Sequence, residues 1–178
     1  RTIAFPALIS MGMVQLMIAG EIDLSTAAVM SFCAVLSAKL IKDFNFEVPE
    51  AVIIVLLCSL LIGCVNAFLT VKIGIFSVIA TIGTGFVVRG LSYSFTNGVP
   101  IYPMPESFAL LGSLRPLNIS FTFFLMLAVA FFVQILLTST KWGTAIYATG
   151  SNRQAAEVSG INTFRVKLIC FMATSFLS

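Results

Sequence analysis

Two short polar stretches interrupt an otherwise apolar chain, and they hold most of the residues that could do chemistry. In the first, Gly20-Glu21-Ile22-Asp23-Leu24-Ser25, two carboxylates sit between two uncharged runs with almost no loop. A charged group at membrane depth costs roughly 2.5–3.5 kcal/mol on insertion scales and marks ion, proton or solute paths. Two readings are open. The turn is interfacial, with Asp23 capping a helix that starts near Leu24; or it lies below the headgroups, as a break between helices that lines a water-filled path. The second stretch runs from Gly150 to Asn162. Ser151 and Gln154 have capping-box spacing, and Gly160 suits the position just past a helix end. About eight residues between them make a helix roughly 12 Å long. A capped stub of this kind, with Ala155 and Ala156 permitting close approach, is built to dock on another protein; an idle surface helix is the plain alternative. A third polar group, Asn66, stands among Gly63, Gly74, Gly83, Gly85 and Gly90. Small residues let membrane helices approach and Asn bonds across them, so Asn66 either packs helices or lines a solute path.

Other chemistries are excluded by residue type. The chain has no histidine, and Cys33, Cys58, Cys64 and Cys170 lie in apolar stretches without a C-x-x-C pair. Zinc held by Cys and His is ruled out, and the thiols read as small buried groups. The few acids are scattered, so no nucleophile, base and orienting group assemble. No G-x-x-x-x-G-K-[ST] phosphate loop occurs, and Gly83-x-Gly85 is too sparse to replace one. No cofactor, no catalytic residue and no nucleic-acid partner are expected, and any ATP chemistry must come from a partner.

The elements that position these residues are membrane spans. Apolar residues make up 59% of the chain and charged ones 10%, with mean hydropathy +1.08; soluble domains run at roughly 45–50% and about 25%. A soluble fold of this size could not hide that surface. Ala51–Val71 and Leu117–Thr138 carry no charge, and each spans about 30 Å as a helix, the thickness of a hydrocarbon core. Thr2–Gly20, Leu24–Ala38 and the shorter Ile73–Val88 are further uncharged runs, and another begins at Leu168. Continuous runs such as Phe123–Ala130 disagree with the alternation of a membrane barrel. The expected fold is therefore all-α: one polytopic transmembrane bundle over residues 1–178, with about five spans and the start of a sixth. The chain opens on Arg1 and closes in an apolar run, as a piece truncated at both ends would. It shows no signal-peptide pattern before Gly20.

Lys141, Arg153, Arg165 and Lys167 face a single acid, Glu157, within Ser139–Lys167, whereas Thr96–Pro116 holds only Arg115 and Glu106. The positive-inside rule puts 139–167 in the cytoplasm and 96–116 outside. Counting back, Lys72 falls inside, and Ile41–Glu50, with Asp43, Glu47 and Glu50, falls outside. Arg89 lands toward the outer end of its span, where it snorkels or the segment Ile73–Phe95 is not one straight crossing.

Five segments, in order, resemble the permease subunit of bacterial ABC importers for ribose, xylose and other simple sugars, a branch that includes the autoinducer-2 importer. Ile18-Ala19-Gly20-Glu21-Ile22-Asp23-Leu24-Ser25 resembles G-G-I-D-L-S. Asn66-Ala67-Phe68-Leu69 with Phe76–Thr84 resembles N-G-x-L…F-I-A-T-L-G-T. Arg89-Gly90-Leu91 resembles R-G-L, and Thr96–Ile101 resembles T-G-G-x-P-I. Trp142–Gly150, with Asn152, Ala155, Ala156 and Ser159-Gly160-Ile161, resembles the family's F-G-R-x-x-Y-A-x-G-x-N-x-x-A-A-x-x-S-G-I. Glu21, Ala67, Trp142 and Thr144 depart from that pattern, at Gly, Gly, Phe and Arg respectively, and weaken any transfer of substrate detail. The resemblance covers a little over half of a typical family chain. It implies a bacterial inner-membrane permease with no catalysis of its own. Its implied partners are a second permease subunit (the same or a homologue), two cytoplasmic ATP-binding subunits and a periplasmic or lipid-anchored solute-binding protein. It makes 151–160 the coupling helix, with Gly150, Ser151, Asn152, Gln154, Ala155, Ala156, Glu157 and Gly160 at the ATPase. It makes Glu21, Asp23, Ser25, Asn66, Thr81 and Gly83 candidates for the translocation path or helix break. A branched-chain amino-acid permease, from a neighbouring branch, is the nearest alternative. A self-contained channel or secondary transporter is the alternative from another class.

Overall fold

A computed structural model describes residues 3–101 and 120–178. Its helices are α1 (Ala4–Ile18), α2 (Thr26–Lys42), α3 (Val48–Ala67), α4 (Ser77–Thr96), α5 (Phe121–Ser139), α6 (Lys141–Ser151), α7 (Arg153–Val158) and α8 (Thr163–Phe176). No strand occurs among the described residues. The fold is a helical membrane bundle. The segment expected to face outward, 96–116, lies largely outside the described residues, Glu106 and Arg115 included.

Among the described residues, three helices are long and apolar enough to cross a bilayer: Val48–Lys72, Ser77–Thr96 and Phe121–Ser139. The first is α3 prolonged by a π-helical turn over Phe68–Lys72. At 15 and 17 residues, α1 and α2 are shorter than a straight crossing. Local signals explain the ends. The Glu47 N–H donates to Glu50 at the start of α3, a capping arrangement, with Pro49 in the first turn where its missing N–H costs nothing. Lys39 pairs with Asp43 at 2.7 Å at the end of α2.

Lipid explains the surface. Leu61, Phe86, Phe131 and Phe132 are exposed, and α5 buries only Val133 and Leu137. A helix apolar all round is stable where the solvent is hydrocarbon.

Close backbone contacts hold the bundle. A Cβ on Gly12 would lie 2.7 Å from the Thr174 Cα, and one on Gly63 would lie 2.9 Å from the Met172 Cα. Glycine thus seats both α1 and α3 against α8. Leu16, Ala19, Val133, Leu137, Ile146, Val166 and Phe171 form the main core, with Val71 packed on it. These contacts gather the C-terminal ends of α1, α3 and α5 and the N-terminal end of α8 at one end of the bundle, where Lys72 and the segment 139–167 meet. Phe32 and Phe95, with ring centroids 6.0 Å apart, run α2 and α4 side by side toward the other end.

Two expectations need correction here. The run expected to begin at Leu168 belongs to a helix that starts earlier, α8 from Thr163, so Arg165 and Lys167 are helical, and α6 fills Lys141–Ser151 before it. The run Leu24–Ala38 becomes a helix only from Thr26 and continues to Lys42.

Candidate functional site: a buried polar cluster and an exposed stub

The first polar stretch begins where α1 stops. Gly20 takes φ +85°. The Gly20 N–H donates to the Met17 carbonyl and the Glu21 N–H to the Leu16 carbonyl, the paired bonds of a Schellman end that glycine makes without steric cost. The chain then crosses to α2 through Glu21–Ser25 without regular secondary structure. Asp23, Ser25, Asn66 and Thr81 are all 0% exposed, so every polar group there has to be answered from within. Asp23 Oδ1 accepts from the Ser25 N–H at 2.8 Å and the Ser25 Oγ at 2.6 Å. Asn66 Nδ2 donates to Asp23 Oδ2 at 3.3 Å and to Ser25 Oγ at 2.9 Å. Thr84 Oγ1 donates to Asn66 Oδ1 at 2.6 Å. The Leu24 N–H donates to Thr81 Oγ1 at 3.0 Å, and the Ile22 N–H to Ser77 Oγ at 3.3 Å. Ser77 and Thr81, one helical turn apart on α4, accept from the backbone of the turn as a neighbouring strand would, and Thr84, one turn further on, holds Asn66. With Asp23, Ser25, Asn66 and Thr81 fully shielded, the cluster lies inside the bundle.

Asp23 therefore does not cap α2. It closes an Asx turn onto Ser25, and α2 starts one residue later at Thr26 without a side-chain cap.

Glu21 points elsewhere. Its carboxylate receives Lys167 Nζ at 2.6 Å, with the two side chains 13% and 10% exposed. Gly150, at the end of α6, rests on the end of α1 so closely that a Cβ there would overlap the Ile18 carbonyl oxygen.

The second stretch is also a short helix with sharp ends, but its cap differs from the expected one. Ser151 is the last residue of α6, and Asn152 caps α7, its Oδ1 accepting from the Ala155 N–H at 3.0 Å. The extended backbone at Asn152 separates the helices, and Asn prefers that position as strongly as Ser does. Gly160 takes φ +84°. The Gly160 N–H donates to Glu157 and the Ile161 N–H to Ala156, a second Schellman end, as the sequence predicted. Ala156 is buried against the chain's own body while Ala155 faces out, so the two alanines do not form one outward face. Val158 is 90% exposed. Arg153 Nε pairs with Glu157 Oε1 at 2.9 Å, and Thr163 Oγ1 donates to the same oxygen at 2.6 Å. These bonds hold the Glu157 carboxyl below the usual carboxylate range, Thr163 contributing most.

Comparison with known proteins places this architecture. The family model described as "Branched-chain amino acid transport system / permease component" matches residues 1–178. The chain belongs to this family. The autoinducer 2 import system permease protein LsrC of Escherichia coli (strain K12 / DH10B) is 31% identical over 92% of this chain and 48% of its own length. The ribose import permease protein RbsC of Haemophilus influenzae is 30% identical over 100% of this chain and 56% of its own. The LsrC of Photorhabdus luminescens is 28% identical over 96% of this chain. The chain spans about half the length of these relatives. No solved structure matches it.

Within this permease family member, the structure brings Asp23, Ser25, Asn66 and Thr81 into one cluster and leaves Glu21 and Gly83 out of it. Gly83 is exposed and lines an apolar groove of about 580 Å³ with Ile62, Val65, Ile79 and Val87. Of the stub residues, Ser151, Asn152, Gln154, Ala155, Glu157 and Gly160 are exposed, Ala156 is buried, and Gly150 packs on α1. Ser77, Thr84, Val158 and Lys167 are the participants that sequence reasoning missed. The Ser77/Thr81/Thr84 spacing was the available signal for the first two.

Proposed function

We propose that this chain is part of the permease subunit of an ATP-binding-cassette importer that moves a simple sugar or sugar-like solute into the cytoplasm by alternating access. On this reading it is one domain of a multi-pass inner-membrane protein that catalyses nothing itself. It works with a second permease subunit, two ATP-binding subunits and a solute-binding protein, and the end of the bundle bearing 139–167 is cytoplasmic. The observation that carries the reading is α7: a six-residue helix, capped at both ends and almost wholly exposed, standing on the ends of membrane helices. A stub only this long has too few contacts to be stable by itself, yet its ends are fixed by Asn152, Gly160 and the Arg153–Glu157–Thr163 bonds. The names of the ribose and autoinducer-2 relatives support the solute class.

The buried cluster supports a role as the closed hinge of the helix break in this conformation, with Asp23 and Asn66 its centre. Val158 and Ala155 are the residues proposed to enter the ATPase. The test is V158D in the full-length protein co-expressed with its ATPase subunits. Stability should stay within about 0.5 kcal/mol, as for an exposed site, while ATPase recovered with the permease drops at least about tenfold, as for a lost interface anchor. Unchanged recovery sinks the docking role. The family description favours a second solute class, branched-chain amino acids. Uptake of D-ribose against L-leucine by the complete complex decides between them.

A further inference from the structure

We infer that Glu21 and Lys167 are a positioning pair: together with the Gly150–Ile18 contact they form a strut that carries movement of the stub α7 into the buried turn Gly20–Ser25. The inference rests on the reading of α7 as the ATPase dock and deepens it.

The stub has two feet. Gly150 precedes it by three residues, and its Cα sits against the Ile18 carbonyl, with no room for a methyl group. Lys167 follows it, one helical turn after Thr163, and its ammonium meets the Glu21 carboxylate at 2.6 Å. Both feet stand on the same four residues, Ile18–Glu21, at the end of α1. Thr163 is itself bonded to Glu157 of the stub, and Thr163 and Lys167, four apart on α8, share a helix face. Two residues beyond Glu21, Asp23 begins the network through Ser25 and Asn66 to Thr84. Polar contacts, joined by one turn of α8 and two residues of chain, thus link an exposed helix to the buried Asp23 and Ser25.

The pair is suited to transmit. Both groups are largely shielded from water, so their attraction is screened little, and separating them would leave an unpaired charge in a dry site. They therefore move together. Glycine at position 150 removes slack from the other foot. A push on α7 reaches Ile18–Glu21 through both contacts, and Gly20, at φ +85°, is where α1 gives way to the turn.

The test uses the full-length protein, its native cysteines replaced and Leu24→Cys introduced, purified with its ATPase subunits in lipid nanodiscs. Leu24 is half exposed within the turn. The rate of fluorescein-maleimide labelling is compared between nucleotide-free and ATP/vanadate-trapped complexes. The parent is expected to change by at least about fivefold, the low end of ordinary coupling between sites. In E21Q/K167M, which leaves no lone buried charge, the complex still assembles but the change falls below about twofold. The reversed pair, E21K/K167E, brings back more than half of the parent's response. The proposal is overturned if the parent does not respond to nucleotide, if E21Q/K167M responds like the parent, or if the reversed pair recovers nothing. It is also overturned if E21Q/K167M fails to assemble, which would make the pair a folding element. A parent that never holds its ATPase instead sinks the docking reading on which this one rests.

Discussion

The turn Gly20–Ser25 and the stub Asn152–Gly160 are the same kind of sequence feature with opposite fates. Each is a short polar interruption in an apolar chain, and each is bounded by a glycine at positive φ in a Schellman end. One is drawn into the bundle, where Asp23, Ser25, Asn66 and Thr81 lose all contact with solvent; the other keeps Val158 almost fully exposed. The difference lies in what stands opposite. The turn meets Ser77 and Thr81 on α4 and Asn66 on α3, which answer its backbone and carboxylate, while Thr84 holds Asn66. Among the described residues, the stub buries Ala156 and its side chains bond to Thr163 and to one another, so its outer face is left for something else. Polarity alone marks a break in a span; the partners available decide whether it becomes a hinge or a handle.

The contact between these regions is the first place to break the comparison. Gly150→Val should have the largest effect, since its Cβ would overlap the Ile18 carbonyl. The expected loss is about 4 kcal/mol or more, the range of backbone collisions in a core. Thermal unfolding in detergent measures it, and a shift no larger than an exposed-site control would disprove the seat of α6 on α1. Next comes Asn66→Leu. It strips donors from Asp23 and Ser25 and the acceptor from Thr84, and should cost about 1–3 kcal/mol, as for buried groups left unsatisfied. The same assay checks it, and the effect should be smaller with Thr84→Val, which removes one hydroxyl and its bonds to Asn66 and the Thr81 carbonyl. On the exposed side, Asn152→Ala removes the stub's cap and should cost about 1 kcal/mol locally. Faster amide exchange at Ala155 and Ala156, with global stability unchanged, is the readout. An equal slowing or no change would deny that Asn152 nucleates α7.

The smallest effect is a titration. The Glu157 carboxyl is held low by Thr163 and Arg153, so its folded value lies below its unfolded one. Its contribution is complete above the ordinary glutamate value, about 4.3, and fades as pH falls through the lower folded value. Amide exchange in α7 should therefore accelerate below that point, and Glu157→Gln should abolish this dependence. A pH-independent α7 in the native chain would contradict the bonded geometry.

Much of this was readable from residue order. Long uncharged runs announced membrane helices, because in hydrocarbon a helix must satisfy its own backbone. Gly160 announced a helix end, because positive φ costs other residues more. The family resemblance lay in local motifs, which the comparisons with relatives then supported. Other features misled. Ser151 with Gln154 matched a capping box that Asn152 took instead, since the extended backbone fell one residue later. Ala155 and Ala156 resembled a single small face, but neighbours in a helix point about 100° apart, and only the body of the protein decides which is covered.

The sequence by itself determined that this is a helical membrane protein of a permease family and roughly where its apolar runs are interrupted. Only the tertiary structure decided which break is buried, that Glu21 answers Lys167 instead of joining Asp23, and that Gly150 and Lys167 stand on one helix end. The physical reason is range. Hydropathy and capping act within a few residues, whereas the Glu21–Lys167 pair joins positions 146 residues apart, and no local preference records that meeting.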